Sequence, residues 1–314
     1  MIAVSRYDPQ TKQIFKDEAF DKLESHQSYW INADTPTTEE LARIAGLFGI
    51  EHPTKEFLYN PFPKAIPGKD YYLLSFLALE VDMRKDYQVK KVGVIIGPHY
   101  LVTIHRQEAN TAAVWQRYQQ HPDLWEQGID FLLYHLLDTV VDHYFQVLDL
   151  LEADLGKEEE MLFTGFAHGL VSRIFAVRKR IIRFRNIAGS MRNLVNILLY
   201  RDVIQIDTTH EYYFFEIYDH TLRVIEHLDI FREQVSGLLE AYLTLTSNRL
   251  NEIVKVLTVA STIILPMTLV SSIYGMNFRY MPELYWRGGY PFALGIMAAI
   301  PVIMLVIFKR KGWI

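Results

Sequence analysis

The chain has 314 residues, 50% of them hydrophobic, a formal net charge of -5 and no cysteine. That length exceeds one ordinary domain. The lack of thiols excludes disulfides, thiol nucleophiles and thiolate metal sites, leaving oxygen or imidazole for any metal chemistry, and the acidic balance speaks against nucleic acid as a partner. Phosphate-binding glycine loops, G-x-S-x-G elbows and H-E-x-x-H pairs are missing, so no enzyme signature stands in the sequence.

Residues 1–122 read as a cytosolic α/β domain. Ile2 to Ser5, Tyr29 to Asn32, Tyr71 to Val81, Gln88 to Ile96 and Tyr100 to His105 are the strand-like runs. Thr35 to Glu40 opens a helix with a Thr cap and acidic first turn, closing near Gly49. Asn60 to Pro63 and Ile66 to Gly68 read as breakers. Residues 123–255 read as a helical hairpin and a stalk. In the first helix Leu133, Leu136, Val140, Tyr144, Val147, Leu151 and Leu155 recur at helical spacing. Its later half is acidic and the next helix, Val171 to Arg201, is basic, which predicts an antiparallel hairpin held by opposite charge. A third helix starts near His210 and meets only Gly237 as an interior breaker before Pro266. Unbroken to Ile273 it would be ~95 Å long at ~1.5 Å per residue, too long to stand without partners along its length.

Residues 256–314 form the membrane part. Val256 to Ile273 and Tyr290 to Phe308 carry no charge and are each just long enough for a bilayer core of ~30 Å. Arg249 and Lys255 precede the first span and Lys309, Arg310 and Lys311 follow the second, which places both flanks in the cytoplasm. The aromatic-rich loop between the spans then faces outward. Along the first span Val254, Leu257, Ser261, Leu265, Thr268 and Ser272 fall within about 80° of one another at 100° per residue. Hydroxyls on such a stripe suit helix packing, or bonds to their own backbone. With Asn251 at the inner end and Asn277 at the outer end, a pore-lining face fits better. Gly275 is expected to end the helix in left-handed backbone geometry.

Tyr274-Gly275-Met276-Asn277 closing the first span, Met281-Pro282-Glu283-Leu284 in the loop, and the tail Lys309-Arg310-Lys311-Gly312-Trp313-Ile314 strongly resemble the CorA magnesium transporters. The likeness continues upstream through Tyr218-Asp219-His220-Thr221 and Asn251 to Thr258. It implies an α/β cytosolic domain, long stalk helices and two transmembrane helices assembled as a homopentamer. It makes Gly275, Met276 and Asn277 the selectivity filter, and assigns the pore to Asn251, Val254, Leu257, Ser261, Leu265, Thr268 and Ser272, with Val254 and Leu257 as hydrophobic gate. A ring of neutral amide oxygens suits Mg2+, which gives up its water reluctantly. The family's regulatory metal sites fall on Glu216, with Asp219 nearby, and on a loop acid for which Glu56 is the candidate; Glu240 is a further stalk acid. In the outer loop Arg279 stands where the family commonly has Glu, and Glu283 keeps one acid.

The sequence thus predicts a homopentameric Mg2+ transporter of the inner membrane, with Co2+ or Ni2+ as further cargo and cytosolic Mg2+ as regulator. Its partners are lipid, divalent cations and copies of itself. One alternative is a zinc transporter of the ZntB type, in which Zn2+ movement is proton-coupled. Another is a cytosolic signalling protein that two spans merely anchor.

Overall fold

A computed structural model describes residues 2–17, 26–50, 64–82, 86–106, 111–164, 169–200 and 206–313. The chain divides into two compact units, Met1–Leu238 and Leu239–Ile314.

The first unit begins with seven strands: β1 Ile2–Asp8, β2 Gln13–Asp17, β3 Ser28–Asp34, β4 Lys64–Pro67, β5 Tyr72–Val81, β6 Tyr87–Gly97 and β7 Tyr100–His105. They form one sheet in the order β2-β1-β3-β7-β6-β5-β4, antiparallel except where β3 pairs with β7. Ile66 and Pro67 were expected to break structure, yet they lie in β4. A proline is tolerated there because β4 is an edge strand and its missing N–H breaks no ladder. Helix α1, Thr38–Leu47, starts with a capping box in which the Thr37 hydroxyl accepts from the Glu40 amide and the Glu40 carboxylate accepts from the Thr37 amide. It ends before Gly49, whose φ of 61° is left-handed. Leu41 and Ile44 of α1 join a core with Ile31, Leu73, Ile95 and Val102. The alternate residues Leu74, Phe76 and Ala78 of β5 point to the other face and are buried as well.

Two short helices, α2 Thr111–Tyr118 and α3 Pro122–Glu126, lead to the hairpin of α4, Ile129–Thr164, and α5, Leu170–Tyr200. All seven α4 residues of the predicted stripe are buried, and α4 also packs on β5, where Tyr144 donates its hydroxyl to the Leu77 carbonyl at 2.6 Å. Among the described residues the expected charge pairing across the hairpin is largely absent. Among the described residues α5 pairs with α4 at Arg173–Glu158 and Arg180–Asp154. The remaining acids and bases sit mostly on outward faces. Apolar packing holds the two helices, because at 3.6 residues per turn the facing stripes are the hydrophobic ones.

Helix α6 runs unbroken from Glu211 to Tyr274, 64 residues, through both Gly237 and Pro266. Within the first unit it buries Phe214, Ile217, Val224, Leu228 and Val235. Its Asp229 takes a two-pronged salt bridge from Arg185 of α5 at 2.7 and 3.1 Å. In the second unit the rest of α6 is joined by a helical turn α7, Pro282–Tyr285, and by α8, Gly289–Arg310. Pro301 lies inside α8, a second interior proline in an apolar run.

Candidate ion pathway

Exposed and half-buried residues fall on different sides of the outer part of α6. Lys255, Val259, Thr262, Ile263, Pro266, Met267, Val270 and Tyr274 are half-buried. Two of them face the second span: Lys255 donates to the Gly312 carbonyl just past the end of α8 at 2.9 Å, and Met267 lines a cleft with Met297 of α8. On α8 the matching half-buried side is Ile296, Met297, Ile300, Pro301 and Met304. The residues expected to line a pore, Asn251, Val254, Leu257, Ser261, Leu265, Thr268 and Ser272, are all exposed. Their mean direction lies roughly 155° from that of the half-buried set at 100° per residue. The stripe is therefore turned away from α8. Ser261, Leu265, Thr268 and Ser272 line a shallow groove along it, and near the outer end Thr268 and Ser272 of the stripe also line the cleft that holds Met297.

The stripe's chemistry changes along its length. Val254 and Leu257, 57% and 65% exposed, make the inner end apolar. Farther out, Thr268 donates its hydroxyl to the Ile264 carbonyl at 2.9 Å, as Thr258 and Thr262 do one turn back along their own helix. Such a bond satisfies the proton and leaves oxygen lone pairs facing outward. Ser261 and Ser272 donate to no partner among the described residues. Pro266 leaves the Thr262 carbonyl without its helical donor, so backbone oxygen is also available at mid-span.

At the outer end, the Gly275 amide donates to the Ser271 and Ser272 carbonyls at 3.0 and 3.2 Å, and Met276 donates to Ile273. Gly275 does not terminate the helix by a left-handed turn; among the described residues the glycines with positive φ are Gly49, Gly128, Gly169 and Gly312. Its smallness matters in another way, since a Cβ there would lie 3.2 Å from the Ser271 carbonyl oxygen. Met276 and Asn277 are exposed, and the Asn277 amide has no hydrogen-bond partner among the described residues. In the loop Arg279 and Glu283 are exposed and do not pair with each other within the chain. Gly289 is needed where the chain turns back, because a side chain there would strike the backbone of Glu283.

The acids assigned to regulation are separate. Glu216 is half-buried on α6, close enough to Asp138 of α4 to act on its titration. Asp219 is exposed and paired with Arg223 one turn on. Glu240 is exposed, and Glu56 lies outside the described residues. Among the described residues no three acids or histidines of one chain converge on a metal position.

The α/β domain, the long helices and two apolar helices long enough to cross a bilayer are the architecture of a membrane protein with a large domain outside the bilayer. The sequence profile of the CorA-like Mg2+ transporter protein family matches residues 25–310, and the chain belongs to that family. It is a transporter, not an enzyme, and its function is divalent-cation transport. A cobalt/magnesium transport protein, CorA, of Thermotoga maritima is 32% identical over 294 residues, covering 91% of this chain and 83% of its own. The complete structure of the CorA magnesium transporter from Methanocaldococcus jannaschii matches with a TM-score of 0.88 at 25% identity, over 100% of this chain and 99% of that one. The cytoplasmic domain of ZntB from Vibrio parahaemolyticus matches with a TM-score of 0.64 at 12% identity, over 79% of this chain and 99% of that one, a likeness of fold alone.

The sequence pattern did not single out Lys255 with Gly312, Gly289 or Pro301. Pro301 was visible as a breaker inside an apolar run. The other two depend on the chain folding back, which no local pattern records.

Proposed function

We propose that this chain is a homopentameric channel that carries Mg2+ inward across the inner membrane, with both termini in the cytoplasm. The observation that carries this reading is the exposed stripe from Asn251 to Ser272, turned away from α8 and ending beside the unpartnered amide of Asn277. A lipid-facing stripe would gain nothing from Asn, Ser and Thr, whereas copies of α6 packed around an axis would present them to water. Asn277 amide oxygens then form a ring at the outer mouth, with Gly275 and Met276 completing the filter. Neutral oxygens suit an ion held through its hydration shell, since Mg2+ dehydrates reluctantly and demands octahedral geometry. The C-terminal end of α6 adds partial negative charge at the same mouth. Val254 and Leu257 form the apolar constriction at the inner end.

An inside-negative potential drives the ion at ~2.3 kcal/mol per charge per 100 mV, about twice that for a divalent cation, so no nucleotide is required. Co2+ is a second cargo, as the name of the Thermotoga maritima relative suggests, and Ni2+ a third. Cytosolic Mg2+ regulates the channel through Glu216 and Asp219 between copies, with Glu240 as a further ring of charge. The test is flux into proteoliposomes for Mg2+, Co2+, Ni2+ and Zn2+, with and without a proton gradient. Potential-driven Mg2+ uptake indifferent to the proton gradient is expected; Zn2+ uptake that requires the gradient would refute the reading in favour of a ZntB-type transporter.

A further inference from the structure

The hairpin carries more charge than its own fold uses. On α4 the exposed acids Asp149, Glu152, Glu159 and Glu160 fall within about 100° of one another at 100° per residue. On α5 the exposed bases Arg178, Lys179 and Arg183 flank Phe175 and Ile182, which are 48% and 43% exposed. None of these seven charged groups makes an ion pair among the described residues. Large apolar side chains rimmed by one sign of charge are the composition of a contact surface rather than of a solvated face.

A glycine gives the second observation. Gly156 lies in the middle of the acidic face, next to the exposed Ala153. Glycine inside a helix costs about 1 kcal/mol relative to alanine, and nothing among the described residues requires it, because an added Cβ would meet none of their atoms within 4 Å. A small, flat patch amid acids is the shape that a protruding apolar side chain amid bases would fit.

We propose that the acidic face of α4 in one copy docks on the basic face of α5 in the next, with Phe175 and Ile182 seated over Ala153 and Gly156. The contact joins two different surfaces, so it is head-to-tail, and repetition about an axis closes a ring rather than a pair. It rests on the homo-oligomer reading above and extends it to the cytosolic hairpins. An anionic lipid surface could also attract the bases and the two apolar side chains. It would repel the acids that the same hairpin exposes, whereas a second copy satisfies both faces.

The chain has no cysteine, which permits a direct test with full-length protein in membranes. Copies bearing Gly156→Cys under one tag are co-expressed with copies bearing Phe175→Cys under another, and mild oxidation is expected to give disulfide dimers that carry both tags. Changing Arg178, Lys179 and Arg183 to Glu should cut the yield about tenfold, the change made by ~1.4 kcal/mol of lost pairing. Changing Asp149, Glu152 and Glu159 to Lys in the other copy should restore it. The proposal is overturned if no cross-tag dimer forms while the native mass shows an intact oligomer, or if Gly156→Cys links only to itself. It is equally overturned if a photoreactive group at position 182 labels phosphatidylglycerol in proteoliposomes instead of a neighbouring chain. A monomeric native mass would refute the oligomer reading itself.

Discussion

Asn277 and Arg279 stand two residues apart and are expected to act in opposite directions on a divalent cation. Asn277→Ala removes the amide oxygen without touching the backbone turn, which Gly275 makes with Ser271 and Ser272. Mg2+ uptake should fall at least about tenfold, the equivalent of ~1.4 kcal/mol of lost recognition, while native mass stays unchanged; wild-type flux would remove the residue from the filter. Arg279 is exposed and has no acid partner among the described residues, so in the proposed ring it would place positive charge near the mouth and deplete cations there. Arg279→Glu should raise flux at low Mg2+. The gain should shrink as the Debye length falls from about 30 Å at 0.01 M to about 8 Å at 0.15 M ionic strength. Equal flux of variant and parent at both ionic strengths would place Arg279 away from the ion path.

The helices of the first unit also carry a titration that opposes folding. Burial, with Asp142 and Glu216 adding to it, pushes Asp138 on α4 up to about 6, while His220 and Arg117 pull it down. An unfolded aspartate titrates near 3.9, so the ionised form is the one the fold disfavours. The penalty is absent below about pH 4, grows between about 4 and 6, and is complete above that. Asp138→Asn should therefore raise the melting temperature at neutral pH, with the gain vanishing toward pH 4. His135 has the opposite sign: burial pushes it down to about 4, so the fold loses stability as pH falls from the ordinary value of 6.5. The comparison that isolates Asp138 is variant against parent at each pH, and a pH-independent offset would contradict this account.

The regulation proposed above acts between copies, so it is tested on the whole assembly. If cytosolic Mg2+ bridges copies through Glu216, raising it should lower conductance, and Glu216→Ala should shift the inhibition curve to higher Mg2+. An unchanged curve would move the sensing site elsewhere. Asp219 is already paired with Arg223, so a metal must displace that guanidinium. Arg223→Ala is then expected to shift the same curve to lower Mg2+.

Local pattern determined most of the elements. The α4 stripe from Leu133 to Leu155 and the capping box at Thr37 follow from spacing that the chain carries wherever it folds. So do the two apolar spans, and the Gly-Met-Asn turn with its loop sufficed to name the family before any coordinates. Three matters needed tertiary structure. Pro67 is an edge-strand residue because of what lies beside β4, which local sequence does not state. The hairpin's charges look complementary along the chain, but helical phase turns most of them outward and leaves two cross-helix pairs among the described residues. The stripe on α6 was legible as a periodicity, yet which side α8 would leave uncovered was decided only when Lys255 bonded to Gly312 and Met267 came to line one cleft with Met297. A periodic pattern fixes the angles between residues on one helix, whereas the direction in which they point is set by long-range packing.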